Sequence, residues 1–136
     1  MHTINLITAP DKLFNNNRSF LLIHCRDQIK QEFQSLLESW NSPLNVYIYD
    51  NSNEEENIDW LLSVAHIADT VIFDVDNSPR RVRDLASFII ANTNTYWLTN
   101  DVNPVYNNIS VNRTYTLDFL KEDGDNDAKV SKQQEE

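Results

Sequence analysis

Short apolar runs alternate with helical patterns along this chain, and the alternation predicts its secondary structure. Residues 19–25 are almost continuously apolar, which is typical of a strand covered on both faces. Residues 3–8 alternate apolar and polar side chains, as expected for an exposed or edge strand. Further strands are predicted at residues 45–49, 70–76 and 95–99.

One helix is predicted between the strands at residues 19–25 and 45–49, and a second between those at residues 45–49 and 70–76. Asp27 is placed to cap the first helix. The apolar residues at helical spacing that follow it are Ile29, Phe33, Leu36, Leu37 and Trp40. The second helix follows a polar stretch at residues 50–57, where Asn53 and Glu56 have capping-box spacing.

A third helix is predicted directly after residue 76. Ser78 suits the N-cap position and Pro79 suits the first helical position. The apolar stripe of this helix consists of Val82, Leu85, Ala86, Ile89 and Ile90. Residues 113–120 are predicted to form a last strand or a short helix.

Strand and helix alternate three times with short connections, which predicts a single α/β domain. We expect a flavodoxin-like or Rossmann-like, mostly parallel sheet of about five strands, covered by helices on both faces. The alternating strand at residues 3–8 is expected at an edge. The domain is predicted to span residues 1–120, and residues 121–136 to form a flexible acidic tail without a core pattern.

Composition narrows the function classes. The 136 residues carry a net charge of −10, which argues against direct nucleic-acid binding and permits a basic protein partner or a surface that mimics nucleic acid. Cys25 is the single cysteine, so a reducing cytoplasm fits best, and no apolar stretch is long enough for a membrane span. Heavy use of Asn with one Gly is typical of AT-rich coding sequences, including those of phages.

The strongest candidate chemistry lies where the strand at residues 70–76 ends. Asp74 and Asp76 differ by two positions, so both are expected on the same face of the strand or its exit. Ligands of open α/β sheets bind at the carboxyl ends of strands, where two carboxylates suit Mg²⁺ or a nucleophile and an acid. The alternative is structural: the two aspartates cap the next helix.

Three arginines follow at once, at positions 80, 81 and 83. Cations in a first helical turn oppose the helix dipole. Arg80, Arg81 and Arg83 are therefore candidates for binding an anion such as a phosphate or a partner's carboxylates. The alternative is a solvated charged face neutralised by neighbouring aspartates.

Residues 73–78 read Phe-Asp-Val-Asp-Asn-Ser, which resembles the first motif of haloacid-dehalogenase-type phosphatases. The resemblance implies a nucleophile at Asp74 and an acid/base at Asp76. Residues 99–100 look like that family's second motif and residues 124–127 like its acidic metal motif. An asparagine stands where the family has glycine after the second aspartate, and the spacing to the acidic stretch is short.

A second similarity is to nucleoside 2-deoxyribosyltransferase-like proteins. Ala68 and Asp69 precede the strand, Asp84 lies on the following helix, and residues 95–98 form the next strand. The resemblance implies that Asp84 is the catalytic acid. The glycine-rich entry and the glutamate of that family are absent from this sequence.

The sequence as a whole favours a cytoplasmic protein-binding, assembly or regulatory protein without catalytic activity or cofactor. Trp40 and Trp60 are its candidate interface residues, and a homo-oligomer is compatible with this hypothesis. The first alternative is a nucleotide- or phosphate-ester-handling enzyme that uses Asp74, Asp76 or Asp84, with Mg²⁺ as a possible cofactor. The second is an acidic inhibitor that mimics nucleic acid.

Overall fold

The computed structural model describes residues 4–50, 57–89, 94–100, 109–112 and 115–121. Its strands are β1 (Ile4–Ile7), β2 (Arg18–Ile23), β3 (Leu44–Tyr49), β4 (Thr70–Phe73), β5 (Asn94–Leu98) and β6 (Ile109–Asn112). Its helices are α1 (Asp27–Leu37), α2 (Ile58–Ile67), α3 (Arg80–Arg83) and α4 (Ala86–Ile89). A 3₁₀ turn at Val75–Asn77 connects β4 to α3.

The strands form one sheet in the order β1-β3-β2-β4-β5-β6, and every pair in it is parallel. From β2 onward this is the flavodoxin-like order, in which the chain moves first to one side and then to the other. The predicted fold class is confirmed. The additional strand β1 lies at the edge beside β3, as its alternating pattern predicted.

Apolar side chains form one cluster on each face of the sheet. On one face, α2, α3 and α4 contribute Leu61, Val64, Val82 and Ile89. On the other face, α1 contributes Ile29, Phe33 and Leu37. Burial of both faces explains why β2 reads as a continuous apolar run.

Two predicted helix starts are wrong. The N-cap position of α1 is Arg26, and Asp27 is the first helical residue with no capping role. The N-cap position of α3 is Pro79, because the Ser78 hydroxyl donates instead to the Asp74 carbonyl at 2.7 Å. The capping box at Asn53 and Glu56 lies outside the described residues, and Asn57 caps α2 by accepting a hydrogen bond from the Trp60 N–H.

The third predicted helix is divided in two. α3 and α4 are each four residues long and are separated at Asp84 and Leu85. The buried stripe survives this interruption at Val82, Ala86 and Ile89.

The end of the described chain covers part of the sheet that α1 does not reach. Leu117 and Leu120 are buried in the same cluster as α1, and the Phe119 ring stacks on Tyr96 of β5 at 3.7 Å. The last described strand, β6, precedes residues 113–120, where a last strand or a short helix was predicted. Within those residues the structure has a helical turn, in which the Leu120 N–H donates to the Leu117 carbonyl. The predicted tail beyond residue 121 lies outside the described residues.

Candidate functional site

The carboxyl ends of β2 and β4 meet at the switch point of the sheet. The two strands are neighbours, yet the chain leaves β2 toward β3 on one side and leaves β4 toward β5 on the other. Two successive connections therefore diverge and leave a crevice, which is where ligands bind in open α/β sheets. Arg26 follows β2, and Asp74 and Asp76 follow β4, so all three residues lie at this switch point.

Arg26 and Asp74 form a two-point ion pair there. The Arg26 Nε donates to Asp74 Oδ2 at 2.8 Å and its Nη2 donates to Oδ1 at 2.9 Å. The backbone N–H of Arg26 also donates to Oδ2 at 3.1 Å. Asp74 is fully buried, whereas about a third of the Arg26 side chain is exposed. The hydrogen bond with this carboxylate raises the pKa of Arg26, so the guanidinium stays charged.

Asp76 accepts hydrogen bonds from the other side of the crevice. Its oxygens bind the Thr99 hydroxyl at 2.7 Å, the Asn100 backbone N–H at 3.0 Å and the Tyr115 hydroxyl. Partial burial raises the pKa of the Asp76 carboxyl, but these hydrogen bonds outweigh it and hold the pKa below its ordinary value. The Arg26 guanidinium lies 4.5 Å above the Tyr115 ring, which joins the two carboxylates into one network.

The backbone is strained on both sides of this network. His24 and Tyr115 have φ values of 48° and 55°, in the left-handed region that bulky residues avoid. The Asn77 side chain donates to the His24 carbonyl at 2.7 Å. Within the described residues, the non-glycine positions with positive φ are these two, so the strain is concentrated at the switch point.

Both carboxylates are held by contacts that the sequence did not suggest. The Asp74 side chain does not cap a helix, because both of its oxygens are bound to Arg26, and nucleophilic attack would require this buried pair to break. The Asp76 side chain bonds instead to the residues that follow β5 and to Tyr115. The strand ends at Phe73 and a 3₁₀ turn follows, so the two-residue spacing does not place both side chains on one face of a strand, although both lie at the switch point. Asp84 is exposed at the end of α3.

The arginines at positions 80, 81 and 83 all lie on α3 and are exposed. α3 is a single turn, so its first and last turns coincide and the dipole argument for an anion site at Arg80, Arg81 and Arg83 loses its basis. Nothing in the described geometry makes these side chains converge on one point.

The two candidate interface tryptophans are core residues. Trp40 is 2% exposed and packs edge-on against Phe20, while Trp60 is 4% exposed and stacks on Tyr49. The prediction that they form a contact surface is wrong, because neither ring is accessible. Trp60 has a structural role instead, since its Nε1 donates to the Asp11 carbonyl at 2.9 Å.

Metal and thiol chemistry find little support in the described residues. No group of three or more His, Cys, Asp and Glu side chains in that part of the chain is arranged to hold a metal ion. The acidic motif at residues 124–127 lies outside it. Burial raises the pKa of the Cys25 thiol far above its ordinary value, so this cysteine stays protonated.

A second candidate region lies along β1. Among the described residues, five large apolar side chains are exposed, and four of them line three hollows that share residues: Leu6, Leu13, Phe14 and Ile67. We call these four residues the β1 edge surface. Leu6 is 69% exposed and Phe14 is 88% exposed. The fifth residue, Phe88, lies on α4 and lines none of these hollows.

The hollows of the β1 edge surface differ in lining. A groove of about 290 Å³ lies between β1, β3 and α1, and Leu6 shares it with apolar residues such as Phe33 and Val46. A second hollow of about 470 Å³ lies between β1 and the following loop and includes Leu6 and Leu13. A third of about 410 Å³ is bordered by Leu13, Phe14 and Ile67, with asparagine side chains at its base.

Sequence reasoning missed the residues that organise both regions. No local pattern pairs Arg26 with Asp74, although adjacency of β2 and β4 would have suggested the pairing. Tyr115 gave no signal in the sequence. The alternating pattern of β1 gave no signal for Leu6, because alternation places the apolar residues on the covered face, whereas Leu6 is 69% exposed.

Comparison of the chain with protein-family models, with curated protein sequences and with solved structures finds no match in any of the three. No helix in the described ranges has the length and apolar character needed to cross a membrane.

Proposed function

We propose that this chain is a protein-binding protein that acts through the β1 edge surface, without a catalytic step. The observation that carries the proposal is the clustering of Leu6, Leu13, Phe14 and Ile67 around connected hollows. Exposed apolar residues scattered singly are ordinary, whereas here Leu13 shares one hollow with Leu6 and another with Phe14 and Ile67. Its occupant is an extended strand of a protein partner, which adds to β1.

The open edge of β1 supports strand addition. β1 pairs with β3 on one side, and no described strand pairs with its other side. Proteins commonly protect such edges with charged residues or proline, whereas Ile4–Ile7 contains neither. Backbone groups on this edge can therefore bond to a partner strand, and the apolar groove on the α1 side can take its side chains.

The loop that presents Phe14 is held in place by side chains of β3. The Leu13 N–H donates to the Tyr47 hydroxyl at 3.2 Å, and that hydroxyl donates to the Leu13 carbonyl at 3.1 Å. The Asn45 side chain donates to Asn15 Oδ1 at 2.8 Å. An exposed aromatic ring on a fixed loop loses little conformational entropy on binding, which is the property of an interface anchor.

The same geometry makes the enzyme hypothesis the weaker one. A nucleophile must reach its substrate, but Asp74 is fully buried and bound at both oxygens by Arg26. Asp76 already accepts three hydrogen bonds. These contacts support a structural role, in which the switch-point network fixes the ends of β2, β4 and β5.

Site-specific photo-cross-linking in the source cell tests the proposal. A photoreactive amino acid is placed at position 6 or 14, and at position 88 as the matched control, because Phe88 is 60% exposed but lies away from the β1 edge surface. We expect discrete protein adducts from positions 6 and 14 and none from position 88. Equal labelling at all three positions, or no adduct at positions 6 and 14, would overturn the proposal.

A further inference from the structure

We infer that the protein partner carries an arginine that enters the third hollow of the β1 edge surface and pairs with Asp69. The inference rests on the proposed function and names the chemistry of its partner. The third hollow, of about 410 Å³, is the one bordered by Leu13, Phe14 and Ile67. Asp69 lines the same hollow, in the connection between α2 and β4.

The charge of Asp69 is not neutralised by any described residue. Its Oδ2 accepts hydrogen bonds from the Ser19 N–H at 2.8 Å and from the Ser19 hydroxyl at 3.2 Å, and both of these donors are neutral. In the part of the chain that the structure describes, no cation forms an ion pair with Asp69, and no Lys, Arg or His lines the hollow. The hollow therefore presents a single carboxylate whose charge is balanced only by solvent.

Binding at this hollow makes a cation necessary. Partner residues that pack on Leu13, Phe14 and Ile67 also take water away from Asp69, because all four residues line one hollow. A carboxylate removed from water without a cation is costly, so an apolar side chain suits the rim but not the hollow. An anionic group would be repelled. A cation from the partner satisfies the carboxylate while the apolar rim is covered.

Arginine fits this hollow better than lysine. The guanidinium is planar and carries five N–H donors, so its edge can bond to Asp69 while its face lies on an aromatic ring. Phe14 is 88% exposed and supplies that ring at the rim. The floor is already fixed, since Asn45 is 2% exposed, accepts from Asn5 at 3.1 Å and donates to Asn15 at 2.8 Å. A pre-formed hollow keeps the entropic cost of binding low.

The arginine belongs to a segment beside the added strand rather than to the strand itself. Asn5, Asn45 and Ser19 are register partners on β1, β3 and β2, and Ser19 holds Asp69. Strands lie about 4.8 Å apart, so a strand added to β1 runs roughly 14 Å from Ser19. Its own side chains do not span that distance. The arginine is therefore carried by partner residues that cross the loop at residues 13–17.

The charge of the whole chain supports a cationic partner. A net charge of −10 attracts basic surfaces and speeds their association. It opposes an acidic partner. The pair at Asp69 adds a local contact to this long-range attraction.

Asp69→Asn, combined with an aromatic photoreactive amino acid at position 14, tests the inference in the source cell. Asparagine keeps an oxygen that can accept from Ser19 but removes the charge. We expect the yield of adducts from position 14 to fall by at least about tenfold, as for the loss of one member of a buried charge pair. Asp59→Asn is the matched control, because it changes the net charge equally from the first turn of α2, at the other end of that helix from Asp69. Its adduct yield should equal that of the wild type.

The opposite result is as informative. An apolar group over the hollow would bury Asp69 unpaired, and Asp69→Asn would then raise the yield of adducts. A raised or unchanged yield would overturn the inference.

The partner's arginine has a test of its own. Mass spectrometry of the adduct identifies the partner segment attached at position 14, and each arginine in it is changed to aspartate. One of these changes should abolish the adducts, and combining it with Asp69→Arg should restore them. A segment without an arginine, or a charge exchange that restores nothing, would overturn the inference.

The two proposals can fail separately. If the wild-type protein forms adducts from positions 6 and 14 and Asp69→Asn does not reduce them, the proposed function stands and the arginine is overturned. If the wild-type protein forms no adducts from these positions, both are overturned.

Discussion

The guanidinium of Arg26 donates two hydrogen bonds to the carboxylate of Asp74 where β2 and β4 end, from Nε to Oδ2 at 2.8 Å and from Nη2 to Oδ1 at 2.9 Å. One partner is fully buried and the other is partly exposed. A buried carboxylate without its cation is costly, so this contact fixes where the two strand ends lie relative to each other. The carboxylate that the sequence suggested as a nucleophile is thereby held in a buried ion pair.

Removing Arg26 should destabilise the fold more than changing Asp74. Arg26→Ala leaves a buried carboxylate without its counter-ion, and we expect a loss of about 3–5 kcal/mol in the free energy of unfolding. Asp74→Asn removes the charge but keeps the shape, and leaves Arg26 able to turn to solvent, for about 1–3 kcal/mol. Urea unfolding measures both.

Asp118→Asn, in the exposed pair with Lys121, is the control and should leave stability unchanged. Asp74→Asn that costs more than Arg26→Ala would contradict the account, because the buried carboxylate would not then be the costly partner.

Because of Asp76, the free energy of unfolding should decrease at acid pH. Its folded pKa lies below the ordinary value of 3.8, so it contributes stability above that pH and loses the contribution as the pH falls through the folded pKa. Tyr115→Phe removes one hydrogen bond to the carboxylate and should move its titration midpoint upward. Carboxyl ¹³C chemical shifts of Asp76 in the two proteins report this directly. An unchanged midpoint would show that Tyr115 does not hold the carboxylate.

Tyr47→Phe should loosen the loop that presents Phe14. The substitution removes the hydroxyl that bonds the Leu13 N–H and carbonyl, at a cost of about 1–2 kcal/mol. We expect faster amide exchange at residues 10–17 and fewer photo-adducts from position 14, with adducts from position 6 retained. Ser39→Ala, which removes a hydroxyl bonded to the Leu36 carbonyl on α1, should change neither. If the yield of adducts from position 14 were unchanged, binding would not depend on the order of this loop, which would contradict the prediction.

Much of the sheet could be predicted because its strands are buried on both faces or alternate at an edge. β2 and β4 read as apolar runs, and β1 reads as alternating, each in agreement with its position in the sheet. Helix starts were less predictable. Asp27 is the first residue inside α1, and Ser78 lies one residue before the N-cap of α3, where its hydroxyl bonds to the Asp74 carbonyl.

The candidate sites were harder to predict, because each depends on residues that are distant in the sequence. The pairing of Arg26 with Asp74 joins positions 48 apart and requires the strand order. Composition suggested Trp40 and Trp60 as contacts, but aromatic rings are also the largest core residues, and the fold buries both. The β1 edge surface combines a strand, a loop and the end of α2, so no single segment reveals it.

Hydrogen–deuterium exchange of the protein alone and in the adduct purified after photo-cross-linking at position 14 tests the central claim most directly. If β1 is the contact edge, its amides at Ile4–Ile7 should exchange more slowly in the adduct, while those of α4 at Ala86–Ile89 stay the same. Slower exchange confined to β1 and its flanking loop is the predicted result. Equal exchange of β1 in the two samples, or protection that appears on α4 instead, would contradict the account.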